Sequence, residues 1–262
     1  MDVVFADTHT HLYLDEFDHD RDKMIGRAID AGVKYIFLPD IDSRSRQVMM
    51  DLAGSFPQNC FPMAGLHPTS VKENFREEIA LVEQEFAQDP GRFCAIGEIG
   101  IDLYWSRQFE SEQLTAFNRQ VNLSVEYDLP VVIHTRNSFD IVAEIIEKKN
   151  DHRIHGIFHC FGGSVKQAEK AIDLGFLLGI GGIITYKNSG LQKVVEAIGL
   201  EHMVLETDAP FLPPVPHRGE RNESAYIPLI AQKIAEIKGI DLAEVAEKTT
   251  GNALRLFNIV NR

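Results

Sequence analysis

No stretch of this sequence approaches the roughly 18 consecutive uncharged apolar residues that a membrane-spanning helix needs, so no contact with a bilayer is expected. The first residues, MDVVFADTH, have no basic segment ahead of their apolar run, which argues against a secretory leader. Cysteine is scarce. Cys60, Cys94 and Cys160 form no C-x-x-C pair and leave an odd one over, which argues against a disulfide framework and for a reducing cytoplasm. Basic charge is in deficit, with 26 Lys and Arg against 39 Asp and Glu and a net charge of −13. That balance counts against a broad surface for coating nucleic acid, though not against a small local phosphate site. No G-x-G-x-x-G follows the first apolar run, and the glycine-rich GIGGIITYKNSG matches neither that fingerprint nor a P-loop, so it reads as backbone packing.

What is present is ordinary globular composition, 44% hydrophobic and 25% charged over 262 residues, with ample material for a core. Short apolar runs alternate with amphipathic ones. The strand candidates are VVFAD, YIFLPD, FPMAGLH, FCAIGE, PVVIH, GIFHC, FLLGIG and MVLETD. Between them lie helical patterns such as FREEIALVEQEF, where Phe75, Ile79, Val82 and Phe86 recur at helical spacing. Gly32 and Gly175 stand where helix C-caps are expected. About eight strand–helix units in this length predict an α/β protein, a (β/α)₈ TIM barrel forming a single domain over residues 1–262. A doubly wound open sheet is the fold-level alternative, disfavoured by the missing fingerprint and by the lack of a composition break.

In such a barrel, chemistry collects at the C-terminal strand ends. His9 and His11, one residue apart in FADTHTHLY, point to one face of an extended strand, where they read as metal ligands or as polar residues of a surface turn. The ends of the later strands add Asp40, His67, Glu98, His134, His159 and Asp208. First and last strands adjoin in a closed barrel, so His9, His11 and Asp208 can meet on one side, and His134 and His159 on the other. Glu98, next to the fifth strand, can bridge the two groups with its two oxygens. This reads as a site for two divalent metal ions, the second held by fewer side chains. Mixed imidazole and carboxylate ligands suit Zn²⁺, Mn²⁺ or Fe²⁺ better than an all-oxygen Mg²⁺ site, and Mg²⁺ stays among the alternatives. Asp208 is also a candidate proton acceptor for an attacking water. Arg136, two residues beyond His134, offers a planar fork for phosphate or, alternatively, a surface ion pair.

Taken in order, DTHTHL, GLHP, GEIGID, HTRN, FHCFGGS, LETDAP, RGERN and TTGNALRLF make the chain resemble the TatD family of metal-dependent deoxyribonucleases over almost its whole length. The resemblance implies a phosphodiesterase with the ligands His9, His11, Glu98, His134, His159 and Asp208. It further implies phosphate or DNA contacts near His67, Arg136 and Arg218, with Asn222 retained in the last loop. Trimming of single-stranded DNA ends in the 3′-5′ sense is the expected activity, with no obligatory protein partner. Ser224 stands where the family often has proline, which leaves the conformation of that loop open. Tyr104 and Trp105, the only tryptophan, lie just beyond Glu98, where they read as stacking faces for unpaired bases or as a cap on the barrel core. Two alternatives are a lactonase, phosphotriesterase or amidase on the same metal platform and a non-enzymatic metal-binding scaffold. The small-molecule relatives often use a carboxylated lysine on the fourth strand, where this chain has Glu98.

Overall fold

The computed structural model describes residues 3–259. Strands and helices alternate along them as β1 (Phe5–Asp7), α1 (Arg21–Asp30), β2 (Val33–Leu38), α2 (Ser43–Ser55), β3 (Cys60–Pro62), α3 (Phe75–Gln88), β4 (Ile96–Asp102) and α4 (Glu110–Tyr127). The series continues with β5 (Val131–Arg136), α5 (Phe139–Lys149), β6 (Gly156–Phe158), α6 (Val165–Asp173), β7 (Phe176–Ile180), α7 (Leu191–Ala197) and β8 (Met203–Leu205), and closes with α8 (Ile227–Lys238) and α9 (Leu242–Leu256). The αβ turns reverse through left-handed residues. Gly32 has φ +90° and Gly175 φ +86°, where a side chain would be strained.

All strand pairs are parallel, in ladders ordered β1-β2-β3 and β4-β5-β6-β7-β8. At one seam Ala64 bridges Ile96, and at the other the Thr8 amide donates to the Leu205 carbonyl at 2.9 Å. The result is the (β/α)₈ barrel. Its lumen is filled from alternate strand positions, among them Ala6, Phe37, Met63, Val132, Ile157 and Val204. Helix α9 plugs one end, with Phe257 stacked on Phe37 at a ring separation of 4.1 Å. The other faces of the strands pack against the surrounding helices.

The strand ladders stop earlier than the apolar runs predict. GIFHC pairs only through Phe158 and MVLETD only through Leu205. Beyond these points the backbone turns through Cys160 (φ +45°) and Asp208 (φ +57°), left-handed values that no extended strand accommodates. His159, Glu206 and Asp208 therefore sit on the rim where the chain leaves the sheet.

Candidate metal centre

Side chains alternate across a strand, so stepping two residues along the lumen face from Val132 reaches His134, from Ile157 reaches His159, and from Val204 reaches Glu206. Glu98 arrives differently. The β4–β5 register pairs Gly97 with Val132 and Ile99 with Ile133, which leaves Glu98 as the extra residue of a bulge. A bulge re-aims the side chain it carries. Here it buries Glu98 to 1% exposure in the middle of the rim.

Around Glu98 the predicted residues form two groups. On one side, His9 Nε2 lies 3.0 Å and His11 Nε2 3.6 Å from Glu98 Oε2. The two imidazole nitrogens are 3.3 Å apart, and Asp208 Oδ1 is 3.8 Å from the first and 3.6 Å from the second. The amide of Asp208 donates to the His9 carbonyl, which holds the ends of β1 and β8 together. On the other side, Glu98 Oε1 faces His159 Nε2 at 2.9 Å, His134 Nδ1 at 3.0 Å and His67 Nε2 at 3.2 Å. His134 Nδ1 and His159 Nε2 are 3.4 Å apart, and the His9 and His159 rings stack at 3.7 Å. One carboxylate thus spans both groups.

Protonation can be read from the fixed donors. Tyr13 gives its hydroxyl proton to the Pro39 carbonyl, so it accepts from His11 Nδ1–H at 2.9 Å and leaves a lone pair on His11 Nε2. The Asp102 carboxylate, 3.0 Å from His134 Nε2, takes that N–H and leaves the lone pair on Nδ1. Each of these lone pairs faces its own group, and the separations of 3.3 Å between His9 and His11 and 3.4 Å between His134 and His159 fit one cation in each, because ligands about 2.1 Å from a tetrahedral ion stand about 3.4 Å from one another. His67 differs. Its Nδ1 accepts from the Thr69 amide, so the neutral ring carries its proton on Nε2 and is a donor toward the centre rather than a ligand, although its distance alone would group it with Glu98 and His134.

Electrostatics agree with anionic carboxylates among neutral and charged imidazoles. Burial alone would raise Glu98, but His159, His67 and His9 outweigh it and hold this carboxyl well below the usual range. Burial opposes ionisation of Asp208 as well, and the imidazoles beside it, His11 first and then His159 and His9, bring it below the ordinary value. Burial lowers His9 and His67. It also works against charging His134 and His159, where Asp102 and Glu98 on the first, and Glu98 and Glu206 on the second, prevail and raise them.

The family model described as TatD related DNase matches residues 6–258. The chain belongs to the TatD family. It is 34% identical to the uncharacterized metal-dependent hydrolase YabD of Bacillus subtilis over 98% of this chain and 100% of that one. It is 33% identical to the 3′-5′ ssDNA/RNA exonuclease TatD of Erwinia tasmaniensis, covering 97% of this chain and 99% of the other. The crystal structure of YjjV, a TatD homologue from Escherichia coli K12, superposes with a TM-score of 0.92 at 30% identity, covering 98% of this chain and 99% of that one. This TatD family member is accordingly a metal-dependent hydrolase, and its buried His, Glu and Asp groups are compatible with a metal site.

The remaining predicted residues divide. Arg136 is exposed, with its guanidinium 3.8 Å from the Tyr104 ring centre and 5.1 Å from that of Trp105. Tyr104 and Trp105 are 54% and 71% exposed, so Trp105 does not cap the core. Arg218 is exposed and lies over the Tyr186 ring at 4.4 Å. Asn222 is a correction. It is fully buried, donates to the Thr207 and Phe211 carbonyls and accepts from the Glu223 amide, so it pins the last loop and has no face to offer a substrate. Ser224, in the proline position, donates to Asp7 Oδ2 at 2.6 Å and anchors the same loop under β1. Asp40 stays outside the centre, buried in an ion pair with Arg46 at 2.7 Å. His217 stacks on Tyr226 and bonds Glu220.

Sequence reasoning missed three supports: Tyr13 behind His11, Asp102 behind His134 and Glu206 behind His159, whose Nδ1 is 3.5 Å from Glu206 Oε1. Glu206 also accepts from the Cys160 amide. Room for it comes from Gly179, where a Cβ would stand 2.1 Å from Glu206 Oε2. A sequence signal existed for Glu206, which lies two residues beyond Val204 on the lumen face, whereas Asp102 is placed level with Arg136 only by the register of β4 on β5.

Proposed function

We propose that this chain hydrolyses phosphodiesters with two divalent cations held on either side of Glu98, and that its substrate is the end of a single DNA strand, trimmed in the 3′-5′ sense. His9, His11 and Asp208 would hold one cation and His134 and His159 the other, with Glu98 shared between them. Such a pair supplies an activated water and neutralises charge on the phosphoryl group when bound. The protein's own groups do the rest. The Asp208 side chain is 16% exposed where that of Glu98 is 2% exposed, so Asp208 is the carboxylate within reach of an incoming water, and as an ionised carboxylate it has a lone pair to take that water's proton. His67 presents Nε2–H toward the centre and can donate to a phosphoryl oxygen. Arg136 offers a planar fork for a second oxygen.

The observation that carries the substrate reading is the exposed stack of Arg136 on Tyr104 beside Trp105, placed two residues beyond His134. Aromatic faces bind unpaired bases with about 1–3 kcal/mol each and need no broadly basic surface, so the charge of −13 is no obstacle to a short grip. The same charge suits a small neutral substrate. The deciding assay titrates Zn²⁺, Mn²⁺ and Mg²⁺ against a short single-stranded oligonucleotide, a lactone and a phosphotriester. Metal-dependent shortening of the oligonucleotide from its 3′ end is expected. Turnover of the lactone or triester alone would replace the nuclease reading with the small-molecule one.

A further inference from the structure

Arg136 faces more than the aromatic shelf. It also lines a half-open cavity of about 540 Å³ between the loops that follow β5 and β6. The walls come from Asn137, Phe139 and Asp140 on one side and from Cys160, Phe161 and Gly162 on the other. Because His134 and His159 immediately precede these two loops, the cavity opens beside the second group of the centre. Its volume lies within the range of pockets that hold small organic ligands, about 300–1,000 Å³.

The lining is chemically mixed. The Phe139 ring is partly exposed, the Asn137 amide and Asp140 carboxylate are exposed, and Gly162 leaves backbone uncovered. A flat ring with donors and acceptors along its edge matches that combination. A second phosphate does not, since Asp140 would repel it. We propose that this cavity seats one nucleoside, the neighbour of the phosphate held in the metal centre. The proposal rests on the phosphodiesterase reading and extends it. Arg136 then stands between two base sites, the Tyr104–Trp105 shelf and the cavity, with the scissile phosphate between them.

Calorimetric titration of the Mn²⁺-loaded full chain with inorganic phosphate, deoxyribose 5-phosphate and deoxyadenosine 5′- and 3′-monophosphates tests this without requiring turnover. One of the two adenylates should bind about tenfold more tightly than either base-free ligand, the gain expected for one stacked base. Gly162→Leu should erase that gain and leave phosphate affinity unchanged. A Cβ at Gly162 meets nothing nearer than the Cys160 carbonyl oxygen at 3.9 Å, so the backbone tolerates it. Asp140→Phe, from the opposite wall, is the second plug. Equal binding of adenylates and phosphate, or a gain that survives both plugs and disappears in Trp105→Ala, overturns the cavity assignment. Failure of the nuclease reading shows separately, as a metal-loaded protein that leaves oligonucleotides intact.

Discussion

Replacing Asp102 with Asn should weaken cation binding on the His134–His159 side of the centre and leave the His9–His11 side unchanged. The Asp102 side chain is 2% exposed and accepts both the His134 Nε2–H at 3.0 Å and the Tyr104 amide at 2.9 Å. Asn keeps the shape and an acceptor oxygen but removes the charge. Across the imidazole the carboxylate would stand roughly 7 Å from a cation at Nδ1, so at an effective dielectric constant of about 20 the unscreened attraction to a doubly charged ion is about 5 kcal/mol, an upper bound that solvent and the neighbouring carboxylates reduce. The expected loss of affinity is about 10–100-fold, the range that removal of such outer hydrogen-bond partners causes in metal sites. Calorimetric titration with Mn²⁺ or Zn²⁺ separates the two events. The wild-type protein should show a tighter first ion, since His9, His11 and Asp208 outnumber His134 and His159. In Asp102→Asn only the weaker step should move. Equal loss at both steps, or none at either, refutes the argument that this carboxylate serves one cation alone.

Glu98→Gln should abolish turnover while the far-ultraviolet circular dichroism and melting temperature stay close to wild type; a folded variant with near-normal activity would end the bridging role. Trp105→Ala should raise KM for oligonucleotides and spare a small chromogenic phosphodiester, and equal loss on both would mean that the shelf binds no base. Gly179→Ala puts a methyl group against the buried Glu206 carboxylate. It should cost about 1–3 kcal/mol in a denaturant titration, as overpacking does, and also weaken the second ion through His159. Asp20 is held below its usual carboxyl range by hydrogen bonds from Arg221 and Arg27, so its contribution is present above about pH 4 and lost as the pH falls below that. Asp20→Asn should therefore lower the melting temperature slightly at pH 7, by a stability of no more than about 1 kcal/mol for these partly exposed groups, with the difference vanishing at low pH.

The barrel and the heart of its rim were legible because both rest on short-range periodicity. Apolar runs marked the strands, and a step of two residues along the lumen face carries Val132 to His134 and Ile157 to His159 without any knowledge of the rest of the chain. Glu98 was legible as a strand-end carboxylate, but the bulge that aims it was not, since a register slip belongs to the pairing of two strands. The strand ends were overrun for a related reason. Cys160 and Asp208 adopt left-handed backbone although neither is glycine, held there by bonds from distant segments such as Glu206 on the Cys160 amide.

Partners separated widely in sequence account for what was misread. Ser224 reaches Asp7 across 217 positions, and that bond, which a proline side chain could not make, ties the last loop to β1. The family resemblance put Asn222 among the substrate-side residues of the last loop, yet its amide closes the loop on two carbonyls eleven and fifteen residues away. Asp102 and Glu206 look like any other acidic residues until their positions on the lumen face are noticed. Once they are, the asymmetry of the centre changes character. The side with fewer direct ligands is the one whose two imidazoles each stand against a buried carboxylate, whereas His11 leans on a neutral tyrosine. Negative charge is thus supplied at first hand by Asp208 on one side and through the rings of His134 and His159 on the other. Counting ligands from sequence captures the first contribution and omits the second, which is why the Asp102→Asn titration, with its two separable steps, is the measurement that bears most directly on how this centre holds its cations.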